Sequence, residues 1–86
     1  MTLFVIIPTD PNVIDVEAEI AKLLPNDSYR LPQGEWIVRY SGTTQELSNA
    51  LLITDGTSGN AVIFAISAYF GRAPTNIWEW IKTRWG

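Results

Sequence analysis

The stretch Leu3-Phe4-Val5-Ile6-Ile7 decides how the rest of the chain can be arranged, because it is an unbroken apolar run that ends in three β-branched residues. A short run with apolar side chains on both faces is typical of a strand that lies inside a sheet. We therefore expect a central β-strand here, covered from above and from below. Pro8 follows the run and is expected to end the strand, because proline cannot donate a hydrogen bond to a neighbouring strand.

A helix and a hairpin are expected next. Asp10-Pro11 predicts a helix start, with Asp10 as the N-cap and Pro11 at the first helical position. Two short strands, over 28–31 and 35–40, surround the turn Pro32-Gln33-Gly34. The alternation along the second strand places Trp36, Val38 and Tyr40 on one face of the sheet.

The second half of the chain repeats this logic. Thr43-Thr44-Gln45-Glu46 predicts a capping box that opens a second helix. The apolar run from Ala61 to Phe70 predicts the longest strand, and Asn76 with Glu79 resembles a further capping box at the start of a last helix.

The resulting order β-α-β-β-α-β-α favours an α+β fold, the ferredoxin-like split βαβ sandwich (β-α-β-β-α-β) with an extra C-terminal helix. A length of 86 residues predicts one domain, residues 1–86. In such a sandwich two helices cover one face of an antiparallel sheet. The C-terminal helix is the candidate to cover the other face.

Composition excludes several classes of function. The chain has no cysteine, which excludes a disulfide scaffold and catalysis by a thiol. It also has no histidine, which is the commonest general base and the commonest zinc ligand. It needs no oxidising compartment, and we expect it in the cytoplasm. A net charge of −3 with scattered basic residues disfavours nucleic-acid binding. The longest apolar stretch is about half as long as a membrane-spanning helix, so no membrane association is expected.

The same composition favours self-association. Of the residues, 47% are hydrophobic and only 17% are charged, which is a small polar supply for the surface of so short a chain. Apolar surface in excess of what a monomer tolerates is usually buried against a partner. We therefore expect a homodimer.

Tryptophan is concentrated at the C-terminal end, at Trp78, Trp80 and Trp85. One interpretation is that this helix packs on its own sheet, since aromatic stripes usually belong to a core. The other is that part of the stripe, Trp80 above all, anchors a protein partner, because tryptophan is enriched at binding hot spots. The candidate interface residues, which include the end of the last predicted strand, are Tyr69, Phe70, Trp78, Trp80 and Trp85.

Asp10 has two interpretations. As a helix N-cap it needs no ligand. As a carboxylate just after the first strand it could hold Mg²⁺, with a second copy supplied by the partner in a dimer. Glu35, Arg39 and Arg72 are interpreted as solvated surface charges.

Three segments carry a resemblance to a known family: Glu35-Trp36-Ile37-Val38, Thr43-Thr44-Gln45-Glu46-Leu47-Ser48-Asn49-Ala50-Leu51 and Ile77-Trp78-Glu79-Trp80-Ile81-Lys82. A strand with Trp-hydrophobic-Val, a capped helix with Glu-Leu and a terminal Trp-Ile-Lys helix resemble small bacterial and phage proteins of the SinR family. These are related in fold to the GhoS antitoxin and to the CRISPR spacer-adaptation endoribonuclease. The resemblance implies a ferredoxin-like fold and a homodimer. It also implies metal-dependent cleavage of RNA, in which an aspartate that follows the first strand holds the metal.

The sequence as a whole predicts a small non-catalytic association module of bacterial or phage type, which acts as a homodimer by burial of aromatic surface and needs no cofactor. The alternative hypothesis is a divalent-metal-dependent endoribonuclease that uses Asp10 and Mg²⁺. The two differ in what Asp10→Ala should do: it abolishes cleavage in the enzyme and costs only about 1 kcal/mol of cap stability in the association module.

Overall fold

The apolar run at the N-terminus forms the inner strand of an antiparallel sheet. The computed structural model describes residues 2–9 and 14–85, and Asp10 with its predicted cap lies outside them. The described residues form an α+β structure of four strands and three helices. In chain order they are β1 (Thr2–Pro8), α1 (Ile14–Leu23), β2 (Ser28–Arg30), β3 (Trp36–Tyr40), α2 (Thr44–Ala50), β4 (Ala61–Ile66) and α3 (Thr75–Arg84).

The strands lie in the order β2-β3-β1-β4, and every neighbouring pair is antiparallel. β1 pairs with β3 from Thr2↔Tyr40 to Ile6↔Trp36, and with β4 from Leu3↔Ile66 to Pro8↔Ala61. β2 and β4 are therefore the two edges of the sheet.

One face of the sheet is covered by α1 and α2. Side chains of Phe4, Ile6 and Val38 point to this face and form a buried cluster with residues of the two helices. The helices contribute mainly Val16, Ile20, Leu47 and Leu51, and Trp36 and Tyr40 pack at its margin. The shared face predicted for Trp36, Val38 and Tyr40 is confirmed.

The opposite face is covered by α3. Ile77 and Ile81 of this helix are buried against Leu3 of β1 and Ile37 of β3. Alternate residues of β1 thus enter two different cores, which confirms that the strand is covered on both faces. The interpretation of the C-terminal helix as a cover on its own sheet is also confirmed.

The last strand is shorter than the sequence predicts. β4 ends at Ile66 instead of Phe70, and Tyr69 and Phe70 lie outside the sheet. β4 is an edge strand with one partner, β1. Ile66 pairs with Leu3, and the described part of β1 begins one residue earlier at Thr2, so it offers little further strand for residues after Ile66 to pair with. Apolar character alone cannot extend a strand beyond its partner.

The predicted capping box of α3 is also wrong. The helix begins at Thr75 and its N-cap is Pro74, with no side-chain hydrogen bond to the first turn. Asn76 lies inside the first turn, where its Nδ2 donates to the hydroxyl oxygen of Tyr29 on β2. The side chain that could have capped the helix instead joins it to the sheet.

The capping box of α2 is confirmed. Thr43 Oγ1 accepts from the backbone N–H of Glu46, and Glu46 Oε1 accepts from the N–H of Thr43.

Among the described residues, no helix combines the length and the apolar character that crossing a membrane requires.

Candidate functional site

Three of the five predicted interface residues form one aromatic cluster beside α3. The rings of Tyr69 and Trp78 stack with their centroids 5.7 Å apart. Trp85, which follows the helix in an extended conformation, meets Tyr69 edge-on at 4.9 Å. The chain that leaves β4 therefore runs back along α3, and Tyr69 holds it there. Each ring therefore contacts another ring of the same chain, although the side chains of Tyr69 and Trp85 are still exposed to solvent.

Trp80 lies in a different place, at the contact between α3 and β2. Its ring is half-buried, 5.8 Å from the ring of Tyr29, and the guanidinium of Arg84 lies 4.3 Å above it. Arg84 also donates to Asp27 Oδ1 at 3.3 Å and to the carbonyl oxygen of Asn26 at 2.9 Å. These contacts hold the end of α3 to the start of β2, so Trp80 serves the docking of its own helix.

Phe70 is the most exposed large apolar side chain among the described residues, with its full surface accessible. It forms one wall of an open groove of about 360 Å³, together with Trp78 and the polar side chains of Glu79 and Lys82. The sequence places Phe70 in a strand, and the structure instead presents it on a loop, next to the aromatic cluster.

The two edges of the sheet differ in how they are protected. β2 is only three residues long, includes Arg30 and is followed closely by Pro32, which are features that block pairing with a further strand. β4 spans six residues, Ala-Val-Ile-Phe-Ala-Ile, without a charge or a proline. An edge strand of this kind can accept another strand.

An apolar patch lies next to the unprotected edge. Val62 and Phe64 of β4 point to the face that carries α3, and Val62 pairs with Ile7 of β1. Phe64 is 54% exposed, Val62 43% and Ile7 37%, since α3 covers the β1–β3 side of this face and not the β4 side. We call Ile7, Val62 and Phe64 the β4 patch. The sequence predicts a strand here, but it does not single out these three residues as an exposed patch.

The polar residues that suggest chemistry are accounted for locally. Asp55 accepts a hydrogen bond from the backbone N–H of Thr57 at 2.9 Å, and this bond lowers the pKa of its carboxyl below the ordinary range. Ser58 is buried and donates to the carbonyl oxygen of Leu51. Within residues 2–9 and 14–85, no three histidine, cysteine or acidic residues come together as a metal site.

The interpretation of Glu35 as a solvated surface charge is wrong. Its side chain is half-buried, and Oε1 is inaccessible and without a hydrogen-bond partner among the described residues. The signal was present in the sequence, because strand alternation places Glu35 on the same face as the buried Ile37.

Known proteins supply no function for these surfaces. The chain matches no model of a protein family, and no curated protein matches it. The resemblance to SinR-family proteins therefore stays a prediction, and the function is inferred from the surface of the molecule.

Proposed function

We propose that this protein is a non-catalytic association module that forms a homodimer through β4. The observation that carries the proposal is the contrast between the two edges of the sheet: β2 is short and charged, whereas β4 is long enough to pair and has no charge. Natural proteins usually protect an exposed edge strand with lysine, proline or a covering segment. An edge without such protection is suited to a strand of another chain.

The partner strand that fits best is β4 of a second copy. Antiparallel pairing of a strand with itself is compatible with a two-fold axis, which is the commonest symmetry of soluble oligomers. If the axis runs perpendicular to the sheet, both β4 patches lie on the same face. In the register centred on Phe64, which we propose, the two Phe64 rings are cross-strand neighbours. Neighbouring aromatic and β-branched pairs stabilise such contacts, and no like charges meet across the strand pair.

The aromatic residues near α3 have a second place in the proposal. A protein partner could contact four of these residues in or beside the open groove at α3. They are Tyr69, Phe70, Trp78 and Trp85. Trp80 contributes least to such a surface, because Tyr29 and Arg84 already cover much of its ring.

We also propose that the architecture is the ferredoxin-like split βαβ sandwich. The support is the element order, the strand order β2-β3-β1-β4 and the antiparallel pairing throughout. The resemblance to SinR-family proteins implies the same fold and the same oligomeric state.

The test is the mass in solution of the wild type and of Phe64→Lys, measured by sedimentation velocity over a range of concentrations. The wild type should sediment as a dimer. Phe64→Lys should be a monomer, because the two lysines would face each other across the axis. Phe70→Lys is the matched control, since it places the same charge on an exposed aromatic position outside β4, and it should remain a dimer.

Circular dichroism of each variant separates loss of association from loss of the fold. A wild type that stays monomeric at high concentration contradicts the proposal. A dimer that survives Phe64→Lys but is lost in Phe70→Lys moves the interface from β4 to the aromatic groove.

A further inference from the structure

An open groove of about 320 Å³ lies between α2 and the edge strand β4. Residues 61–63 form its β4 side, and three residues of α2 form the other side. These three are Thr44, Gln45 and Ser48, which fall on one side of a helix that turns by about 100° per residue. No residue that lines the groove carries a charge.

The position of α2 brings this groove to the proposed dimer contact. α1 lies on the side of β2 and β3, since Glu17 accepts hydrogen bonds from the side chains of Arg30 and Trp36. α2 lies on the other side of the same face and packs against β4. The groove is therefore continuous with the edge of the sheet that pairs in the proposed dimer.

The ordinary spacing of strands and helices sets how close the two α2 helices of such a dimer come. Neighbouring strands lie about 4.8 Å apart, and helices that pack side by side lie about 8–10 Å apart. With α1 and α2 side by side over four strands, the axis of α2 lies about midway between β1 and β4. This is about 5 Å from a two-fold axis that runs beside β4, so the two α2 helices would lie about 10 Å apart. That is the distance of direct helix packing.

The first turn of α2 is the part of the helix that lies nearest the axis. α2 begins shortly after Tyr40, which pairs with Thr2, and Ile66 pairs with Leu3 at the same end of the sheet. The helix therefore starts towards the C-terminal half of β4, which contains Phe64, the centre of the proposed register.

The side chains of this first turn suit contact with their own copies. A two-fold contact brings identical residues together, so its residues must be complementary to themselves. Gln45 meets this condition, because its amide both donates and accepts hydrogen bonds. Its side chain is exposed and has no hydrogen-bond partner among the described residues. Glu46, the one charge in the sequence of α2, is used in the capping box and does not line the groove.

We propose that the dimer has a second layer of contact, in which α2 packs against α2 of the second copy through Thr44, Gln45 and Ser48. Each groove is then filled by the helix of the other copy, and the two Gln45 amides lie close to the axis. This inference rests on the proposed dimer at β4 and names a surface on the face of the sheet opposite to the β4 patch.

The test uses the absence of cysteine from the chain, because a single introduced thiol can be cross-linked only to a second copy. Gln45→Cys places the thiol on the groove side of α2. Ala50→Cys is the matched control, since Ala50 is exposed on the same helix but lies about 140° further round it. Each variant is treated with a short bis-maleimide at micromolar protein concentration, and the covalent dimer is measured on denaturing gels. The double variant Gln45→Cys/Phe64→Lys removes the strand pairing, and circular dichroism checks that every variant is folded.

We expect Gln45→Cys to form the covalent dimer at least about tenfold faster than Ala50→Cys, because the dimer holds the two thiols at a high effective concentration. The double variant should cross-link as slowly as Ala50→Cys. Equal rates for the two single variants would overturn the α2 contact and leave the dimer at β4 intact, provided that the wild type sediments as a dimer and Phe64→Lys as a monomer. Rapid cross-linking that survives Phe64→Lys would also overturn it, because the contact would not depend on β4. A monomeric wild type contradicts both proposals.

Discussion

Thr43 and Glu46 show how much a single residue pair decides locally. Each side chain accepts a hydrogen bond from the other residue's backbone N–H, at 3.1 and 2.9 Å, and this satisfies two N–H groups that the first turn of α2 would otherwise leave unpaired. α2 is only seven residues long, so its first turn is a large part of it. Leu47, fully buried in the core, follows directly.

We predict that Thr43→Ala lowers the free energy of unfolding by about 1 kcal/mol, because the N–H of Glu46 loses its acceptor. Urea denaturation followed by circular dichroism measures this change. Thr43→Ser is the control, since it keeps the hydroxyl and should retain most of the stability. Equal stability of the alanine and serine variants would show that the hydrogen bond to Thr43 Oγ1 contributes nothing.

Glu35 shows the opposite case to Thr43 and Glu46, because its carboxylate oxygen Oε1 is buried without a hydrogen-bond partner among the described residues. Its position before β3 and the alternation of the strand direct it under α3, although a glutamate at the end of a hairpin is usually solvated. Proteins depart from the pairing of buried polar groups mainly at functional or strained sites.

At the scale of the element, α3 is held to the sheet by two kinds of contact. Ile77 and Ile81 bury apolar surface against Leu3 and Ile37. Polar and aromatic contacts then fix its two ends, through Asn76 with Tyr29 at the start and Arg84 with Asp27 at the end. The helix lacks an N-terminal side-chain cap, so its stability depends on this packing more than on its own sequence.

We predict that Ile81→Ala lowers the free energy of unfolding by about 2–5 kcal/mol, because it leaves a cavity beneath the helix. Lys82→Ala, one residue further along the exposed side of the same helix, should change it by less than about 0.5 kcal/mol. Denaturant unfolding of both variants makes the comparison. If the two changes are of equal size, α3 does not depend on its buried face.

At the scale of the whole molecule, the two faces of the sheet differ in how much of them the helices cover, and the two edge strands differ in length and charge. α1 and α2 cover one face, while α3 covers only the β1–β3 side of the other. The uncovered β4 patch therefore lies beside the unprotected edge, and both features would be buried by the same contact with a second copy.

We predict that the melting temperature of the wild type rises with protein concentration, because dimerisation stabilises the folded state by mass action. The melting temperature of Phe64→Lys should be independent of concentration. Thermal unfolding over a hundredfold range of concentration tests this. A constant melting temperature for the wild type would be evidence for a folded monomer without a partner.

The features that the sequence predicts well are those whose causes lie within a few residues of each other. The capping box at Thr43 depends on residues three apart, and the burial of β1 on both faces follows from its unbroken apolar run. The strand alternation of Trp36, Val38 and Tyr40 is equally local. These patterns determine the order of the strands and helices, and the α+β class follows from that order.

Tertiary structure decides what depends on distant partners. β4 ends opposite the first described residues of β1. Asn76 bonds to Tyr29 instead of capping its helix, and Trp80 contacts both Tyr29 and Arg84. The exposure of the β4 patch depends on how far α3 reaches across the sheet. The physical reason is that hydrogen bonding and burial belong to pairs of residues. When the two members of a pair lie tens of residues apart, no local pattern specifies which of the possible partners they will meet.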